Sequence, residues 1–159
     1  MRPSLPDILR DHPADVSLIE MSVDVTTAEA AAEARQVPVS SIAKTLLLRC
    51  EPLGYVAVVL RGTDQLDQTR VRAHLGARRV HFASRDAVLR VTGYPAGGTP
   101  PIGLGAAIPV LVDEAVLELK TVLAGGGSPE LLIELSPQRL VELSAATVGI
   151  FRKGAHPNP

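Results

Sequence analysis

The alternation of apolar and polar residues along the chain predicts short helices and strands in mixed order. Stretches that favour helix are found at 4–10, 28–34, 67–75, 84–93 and 136–143, and Asp67, Ser84 and Ser136 are the predicted caps of the last three. Runs rich in aliphatic and β-branched residues predict strands at 16–23, 42–48, 55–60, 80–83, 110–112, 120–123, 131–135 and 147–151. Because helices and strands do not alternate regularly, the pattern predicts a single α+β domain over residues 1–159.

Local signals predict how several of these elements begin and end. Thr26 and Glu29 have the spacing of a capping box, in which a hydroxyl and a carboxylate each satisfy a backbone amide of the first turn. Pro38 ends the alanine-rich helix that follows. Turns at 51–54 and 125–128 lie between strand-like runs, so each predicts a hairpin.

A long loop is predicted between residues 94 and 107, where glycine and proline are frequent and no periodicity is visible. Its centre reads Gly-Gly-Thr-Pro-Pro-Ile-Gly from Gly97 to Gly103. Glycines let a backbone approach a ligand closely and prolines keep a loop rigid. Such a loop can aim backbone amides at a carbonyl or phosphate oxygen, as an oxyanion hole requires. A stiff surface loop without a ligand is the alternative interpretation.

Composition narrows the class of protein. Aromatic residues make up 3% of the 159 residues and tryptophan is absent, which disfavours nucleic-acid binding by rows of stacked aromatic side chains. The single cysteine, Cys50, suits a reducing compartment. The N-terminus lacks the apolar run of a signal peptide, and the stretch 104–112 is too short to span a bilayer. We therefore expect a soluble, cytoplasmic protein with no membrane partner and a loose tail at 153–159.

Charge is concentrated, although the net charge is only -1. Between residues 61 and 90 there are seven arginines and three aspartates. Such a segment suits a phosphate backbone, and a solvated helix face with internal ion pairs is the alternative. The candidate contacts to nucleic-acid phosphates are Arg70, Arg72, Arg78 and Arg79.

Lys44 is the first candidate for chemistry. The chain has three lysines against thirteen arginines, and Lys44 lies in an apolar strand. A buried unpaired ammonium is very costly, so this group must reach water, a partner or a ligand. Its compact charge suits a phosphate or a developing oxyanion. A lysine at a strand end that extends to solvent is the alternative interpretation.

Other side chains offer little chemistry. The four histidines are scattered without metal-ligand spacing, so the sequence predicts no metal site. Cys50 reads as a small apolar filler, and no Cys-His or Ser-His-Asp set is evident, so a protein nucleophile is disfavoured. Asp113 is left with two interpretations: it lines a pocket beside the loop, or it caps the following turn.

Taken in order, several short motifs resemble the YbaK and prolyl-tRNA synthetase-associated editing family. The likeness extends over about residues 23–143. The motifs are 26–31 (TTAEAA), 42–46 (IAKTL), 91–94 (VTGY), 97–103 (GGTPPIG), 109–113 (PVLVD), 124–127 (AGGG) and 134–137 (ELSP). The resemblance implies a mixed β-sheet or barrel surrounded by helices, and hydrolysis of mischarged tRNA without a metal or cofactor.

The resemblance also implies roles for particular residues. The family's lysine corresponds to Lys44, with Thr45 beside it, and the family's Gly-x-x-x-Pro loop corresponds to residues 97–103. The amide of Gly98 or of a neighbour is expected to hold the ester carbonyl. Pro100 departs from the family pattern, because many relatives carry serine or another small polar residue there. The remaining expected substrate contacts are Gly97, Thr99, Pro100, Pro101, Gly103 and Asp113.

The expected function is that of a free-standing, trans-acting aminoacyl-tRNA deacylase. The resemblance favours removal of a small amino acid such as alanine, cysteine or serine from tRNA-Pro or a related tRNA. The expected partners are mischarged tRNA and prolyl-tRNA synthetase or another synthetase, with no DNA. One alternative is a non-catalytic module that binds tRNA or a synthetase, and another is a small-molecule hydrolase.

Overall fold

The computed structural model describes residues 3–155, and in this range the chain forms five α-helices, eight β-strands and two short 3-10 turns. The helices are α1 (Leu5–Asp11), α2 (Ala28–Arg35), α3 (Gln68–Leu75), α4 (Arg85–Thr92) and α5 (Pro137–Ser144). The strands are β1 (Val16–Glu20), β2 (Ala43–Glu51), β3 (Gly54–Arg61), β4 (Arg79–Phe82), β5 (Val110–Asp113), β6 (Val122–Gly125), β7 (Leu131–Leu135) and β8 (Thr147–Gly149). The 3-10 turns are Val39–Ser41 and Glu114–Glu118.

The strands form two sheets. The larger sheet has the order β4-β2-β3-β5-β8, with β2 antiparallel to both of its neighbours and β5 parallel to β3 and β8. The smaller sheet is antiparallel, in the order β1-β7-β6. Both predicted hairpins are present, as β2-β3 and β6-β7. The α+β prediction is confirmed, and the described strands form two sheets without closing into a barrel.

Apolar side chains cover both faces of the larger sheet. On one face, Ala57, Val59 and Val112 pack with Ile133 of the smaller sheet. On the other face, apolar residues of β2 and β3 pack against α3 and the fully buried ring of Phe151. Because β3 is buried on both faces, a charged side chain is tolerated only near the ends of the neighbouring strand. Lys44 occupies such a place, one residue into β2.

The capping prediction for α2 is off by one residue. The side chain of Thr27, not Thr26, accepts a hydrogen bond from the amide of Ala30 at 3.0 Å. Thr26 instead donates its hydroxyl hydrogen to the carboxylate of Asp24, at 2.6 Å. Thr26 and Thr27 carry the same side chain, so either could cap the helix. Because the Thr26 hydroxyl is bonded to Asp24, Thr27 is the residue that caps it.

The predicted loose tail is anchored where the structure describes it. The amide of Lys153 donates to the carbonyl oxygen of Gln65 at 2.8 Å, and Ala155 is buried. The guanidinium of Arg70 donates to the carbonyl oxygen of Ala155. Residues 156–159, the rest of the predicted tail, lie outside the described residues.

Candidate active site

A cavity of about 250 Å³ lies where the N-terminus of α2, the start of β2 and the 94–107 loop meet. Its wall includes four of the candidate site residues from the sequence, which are Lys44, Thr45, Gly97 and Thr99. Gly125 of the β6-β7 hairpin borders it as well. Segments far apart in the chain therefore converge on one pocket.

Lys44 brings a positive charge to this cavity. Its ammonium lies 3.4 Å from the carbonyl oxygen of Gly62, at the long limit of a hydrogen bond. Within residues 3–155, its ammonium has no carboxylate at ion-pair distance. The residue is half-buried, and its ammonium remains available to an anionic group.

Thr45 adds a hydroxyl that makes no hydrogen bond within the described residues. Its Oγ1 atom is buried and has no hydrogen-bond partner among the described residues. Leaving a buried polar atom unsatisfied costs about 1–3 kcal/mol, so such atoms are rare in a well-packed core. Because Thr45 lines the cavity, a bound ligand can supply the missing partner.

The loop places its backbone differently from the expectation. The amide of Gly98 donates to the carbonyl oxygen of Pro95 at 3.0 Å, closing a tight turn with Gly97 at φ +82°. The amide of Gly98 is therefore used by the turn, which leaves its neighbours as the donors expected for the ester carbonyl. In the described part of the chain, the amides of Gly97 and Thr99 donate to no acceptor, and both residues line the cavity.

Close backbone packing explains the glycines at this point. A Cβ atom on Gly97 would lie 2.4 Å from the carbonyl oxygen of Thr26, just before α2. A Cβ atom on Gly125 would lie 2.8 Å from the carbonyl oxygen of Thr99. The loop is thus held backbone to backbone between the α2 segment and the hairpin, which fixes the direction of its amides.

Other predicted substrate contacts lie outside this cavity, which corrects their placement. Pro100 and Pro101 are buried and do not line it. Gly103 packs against α1, where an added Cβ atom would lie 2.4 Å from the amide nitrogen of Leu5. These three residues hold the loop in place, because their contacts are with the interior of the protein.

Asp113 is the cap of a turn, one of the two roles left open. Its fully buried carboxylate accepts hydrogen bonds from the amides of Ala115 at 2.9 Å and Phe151 at 2.8 Å. It also pairs with the guanidinium of Arg152 at 2.5 Å. All of these partners are structural, and Asp113 does not line the cavity.

Three of the four predicted RNA-binding arginines line a second groove, of about 270 Å³. They are Arg72, Arg78 and Arg79. Arg78 is 4.0 Å from Glu51, and its side chain is 75% exposed, so that contact constrains it little. Arg70 does not line the groove, because it is held by Asp67 at 3.4 Å and by the carbonyl oxygen of Ala155.

Sequence reasoning missed the contribution of α2 to the cavity. Thr26 and Glu29 were interpreted as a capping box and Thr27 was given no role of its own, yet all three line the wall together with Ala28 and Ala31. The threonines and the glutamate were visible as polar residues at a helix N-terminus. Their position opposite Lys44 depends on tertiary packing, which no local pattern encodes.

The described residues show no further centre of chemistry. Between residues 3 and 155, no three His, Cys, Asp or Glu side chains are close enough together to hold a metal ion. Burial raises the pKa of the Cys50 thiol, which keeps it neutral and unreactive at neutral pH. None of the described helices is long and apolar enough to cross a membrane.

Comparison with known proteins identifies the class to which this fold and pocket belong. Residues 22–143 match the model of the aminoacyl-tRNA editing domain. The chain belongs to the aminoacyl-tRNA editing domain family. This family and the relatives described next support a role in aminoacyl-tRNA editing.

Individual relatives differ in size. The chain is 34% identical over 131 residues to the uncharacterized protein YwhH of Bacillus subtilis, a match that covers 82% of this chain and 83% of YwhH. It is 28% identical over 123 residues to EbsC of Enterococcus faecalis, whose name proposes a Cys-tRNA(Pro)/Cys-tRNA(Cys) deacylase; 77% of this chain and 75% of EbsC are covered. It is 34% identical over 102 residues to a proline–tRNA ligase of Thermotoga maritima; 64% of this chain but only 17% of the ligase is covered.

Solved structures show the same fold. The crystal structure of the hypothetical protein APE2540 superimposes with a TM-score of 0.87 at 32% identity, covering 94% of this chain and 99% of that one. A structure described as a candidate trans-editing enzyme for prolyl-tRNA synthetase gives a TM-score of 0.83 at 27% identity, covering 97% and 99% of the two chains.

Proposed function

We propose that this protein is an aminoacyl-tRNA deacylase that hydrolyses the ester bond of a mischarged tRNA. One observation carries the proposal: Lys44, without an ion-pair partner in the described chain, lines the same cavity as Gly97 and Thr99, whose backbone amides donate to no acceptor among the described residues. A cation and two fixed donors are what a developing oxyanion requires. Membership of the editing family supplies the substrate class.

In the proposed reaction, the amides of Gly97 and Thr99 hold the ester carbonyl oxygen. Water attacks the carbonyl carbon and gives up a proton, which a hydroxyl or side chain of the substrate itself can accept, and the negative charge passes to the carbonyl oxygen. The carbon–oxygen bond to the ribose then breaks, the ribose oxygen takes up a proton to become a hydroxyl, and the amino acid leaves as the free acid. Lys44 stabilises the negative charge and positions the substrate, and no covalent intermediate with the protein is required.

The proposed substrate carries a small amino acid, in keeping with a relative named for Cys-tRNA. Ala28 and Ala31 of α2 form part of the cavity wall. The proposed aminoacyl groups are alanine, cysteine and serine. The proposed carrier is tRNA-Pro or a related tRNA, in keeping with relatives named for proline and Cys-tRNA(Pro). The proposed setting is the cytoplasm, where charged tRNAs are used, with a synthetase as a partner.

The test is single-turnover deacylation of a panel of mischarged tRNAs. Wild-type protein is expected to release at least one small amino acid, and Lys44→Ala is expected to be slower by about 100-fold or more. The circular dichroism spectrum should be unchanged, because Lys44 makes only one long hydrogen bond. Lys120→Ala, which removes an exposed lysine outside the cavity, is the matched control.

Two results would count against the proposal. Normal rates in Lys44→Ala would remove the lysine from the mechanism. Tight binding of every mischarged tRNA by the wild-type protein, without hydrolysis of any of them, would identify a binding module in place of an enzyme.

A further inference from the structure

Phe82 is an aromatic side chain exposed at the edge of the larger sheet. It is the last residue of β4, and it is 52% exposed. The other aromatic side chains of the described chain, Tyr55, Tyr94 and Phe151, are half-buried or buried. A single exposed apolar side chain is common on protein surfaces, so a role for Phe82 depends on what surrounds its accessible ring.

Phe82 lies on a surface that is continuous with the candidate active site. A groove of about 600 Å³, called here the Phe82 groove, begins at Lys44, which it shares with the cavity. It is lined by Lys44, Leu46, Gln65, Leu66, Asp67, Gln68, Thr69, Phe82 and Lys153. Gln68 and Thr69 also line the second groove, that of Arg72, Arg78 and Arg79, which is called here the arginine groove. One path therefore leads from the cavity past Phe82 to the three arginines.

Strand register fixes the spacing along this path. Phe82 pairs with Leu48, so it lies on the same face of the sheet as Leu48, Leu46 and Lys44. With a rise of about 3.3 Å per residue, Leu48 is about 13 Å along β2 from Lys44. An unpaired RNA strand can cover that distance while its terminal ester stays beside Lys44.

The charges along the path suit a nucleic-acid backbone. In the described part of the chain, the side chains of Lys44, Lys153, Arg72 and Arg79 have no ion-pair partner. Among residues 3–155, the one carboxylate that lines the Phe82 groove is that of Asp67, which caps α3 and pairs with Arg70. Basic side chains around an exposed aromatic ring are the usual arrangement for binding single-stranded nucleic acid.

We propose that Phe82 is a stacking platform for an unpaired base in the single-stranded 3′ end of the tRNA. This inference rests on the proposed deacylase function, because that function brings a tRNA 3′ end to Lys44. Phe82 then acts as a positioning residue: its ring holds a base while the ester enters the cavity, and the arginine groove receives backbone phosphates further along.

The test uses an uncharged RNA hairpin whose unpaired 3′ end carries 2-aminopurine, a base whose fluorescence falls when it stacks. Wild-type protein should quench the fluorescence. Phe82→Ala should abolish the quenching and weaken binding by about 5- to 100-fold, the range that base–aromatic stacking supplies. Phe82→Tyr should restore both, and Phe82→Leu should restore neither, because it keeps apolar bulk without a ring.

Controls separate stacking from folding. Leu89→Ala removes a side chain that is 54% exposed on α4, away from both grooves, and should leave quenching and affinity unchanged. Thermal unfolding of Phe82→Ala should match that of wild type, because the ring is mostly in water. Wild-type quenching by Phe82→Ala or by Phe82→Leu would overturn the proposal. The proposal would also be overturned if Phe82→Ala bound RNA as well as wild type does but no longer bound a synthetase, because Phe82 would then contact a protein.

Deacylation of mischarged tRNA, measured on the same variants, distinguishes the two proposals. If the wild-type protein quenches the hairpin through Phe82 but hydrolyses no ester, the deacylase proposal fails and the platform stands. If the wild-type protein hydrolyses esters and Phe82→Ala keeps both its kcat/KM and the quenching, the platform fails and the deacylase proposal stands.

Discussion

Thr45 and Lys44 bring polar groups to the cavity that the described part of the fold uses little. Thr45 buries a hydroxyl without a partner, and Lys44 has one long hydrogen bond and no carboxylate at ion-pair distance among the described residues. The unsatisfied hydroxyl carries a free-energy cost in the folded protein. Their neighbours Ala43 and Leu47 are ordinary buried apolar residues, so the cost is confined to the part of β2 that lines the cavity.

Replacing Thr45 by valine should therefore separate stability from activity. Thr45→Val keeps the branched shape and removes the unpaired oxygen, so the free energy of unfolding should rise by about 1 kcal/mol. Deacylation should fall, because a ligand loses the hydroxyl that it can bond. Urea denaturation and single-turnover rates on one preparation measure both. Thr45→Ser, which keeps the hydroxyl, is the control for activity. A less stable but fully active Thr45→Val would contradict this view of the residue.

The site is built from the ends of elements. The N-terminus of α2, the first residues of β2 and a glycine-rich loop form the cavity, and α3 with β4 forms the arginine groove. Helices and strands fix where these ends lie, because each is held by its own hydrogen bonds and its buried face. The molecule therefore has two candidate regions: the cavity suits chemistry, and the α3-β4 surface suits phosphate binding.

Neutralising two arginines of the groove should change the salt dependence of tRNA binding. In the double variant Arg72→Gln/Arg79→Gln, two phosphate contacts are lost, so the log–log salt slope should flatten by about 1.4–1.8. Affinity should fall for all tRNAs alike, because phosphates carry no sequence information. Binding titrations over a range of salt concentrations measure the slope.

The control for this experiment is Arg10→Gln/Arg35→Gln, which changes the net charge equally on α1 and α2. Its salt slope should stay at the wild-type value. Equal slopes for the two double variants would show that long-range charge, and not contact at the α3-β4 surface, governs binding.

One buried carboxylate ties the C-terminal part of the molecule to the larger sheet. Asp113, at the end of β5, accepts from the amides of Phe151 and Arg152 and pairs with the Arg152 guanidinium. Phe151 then fills the space between the sheet and α3, where its ring makes an edge-to-face contact with His74 at 5.2 Å between ring centroids. The site depends on this arrangement, because α3 forms part of the grooves that adjoin it.

Asp113→Ala should accordingly destabilise the whole protein. Several donors, including a largely buried guanidinium, would lose their acceptor, and the free energy of unfolding should fall by about 3 kcal/mol. Chemical denaturation followed by circular dichroism gives this value. Asp11→Ala, which removes an exposed carboxylate on α1, should leave the transition unchanged. A stability loss in Asp113→Ala no greater than in Asp11→Ala would show that the buried carboxylate is not a tether.

Local chemistry made much of this fold predictable from the sequence alone. Asp67, Ser84 and Ser136 were predicted to cap helices, and each side chain accepts a bond from the amide three residues later. Both hairpins and the long loop also follow from nearby residues. Lys44 stood out because lysine is rare in this chain and charge is rare in an apolar strand. Each of these inferences depends on residues that are close together in the chain.

Tertiary structure decided what distant segments do to one another. The bonds from Phe151 and Arg152 to Asp113, and the carbonyl oxygen of Ala155 that holds Arg70, depend on how the chain folds back on itself. Phe82 reads as an ordinary strand residue, and only its place at the open edge of the sheet exposes it. A sequence specifies which groups are present, but hydrogen bonding and burial in the folded chain determine which of them remain available to a ligand.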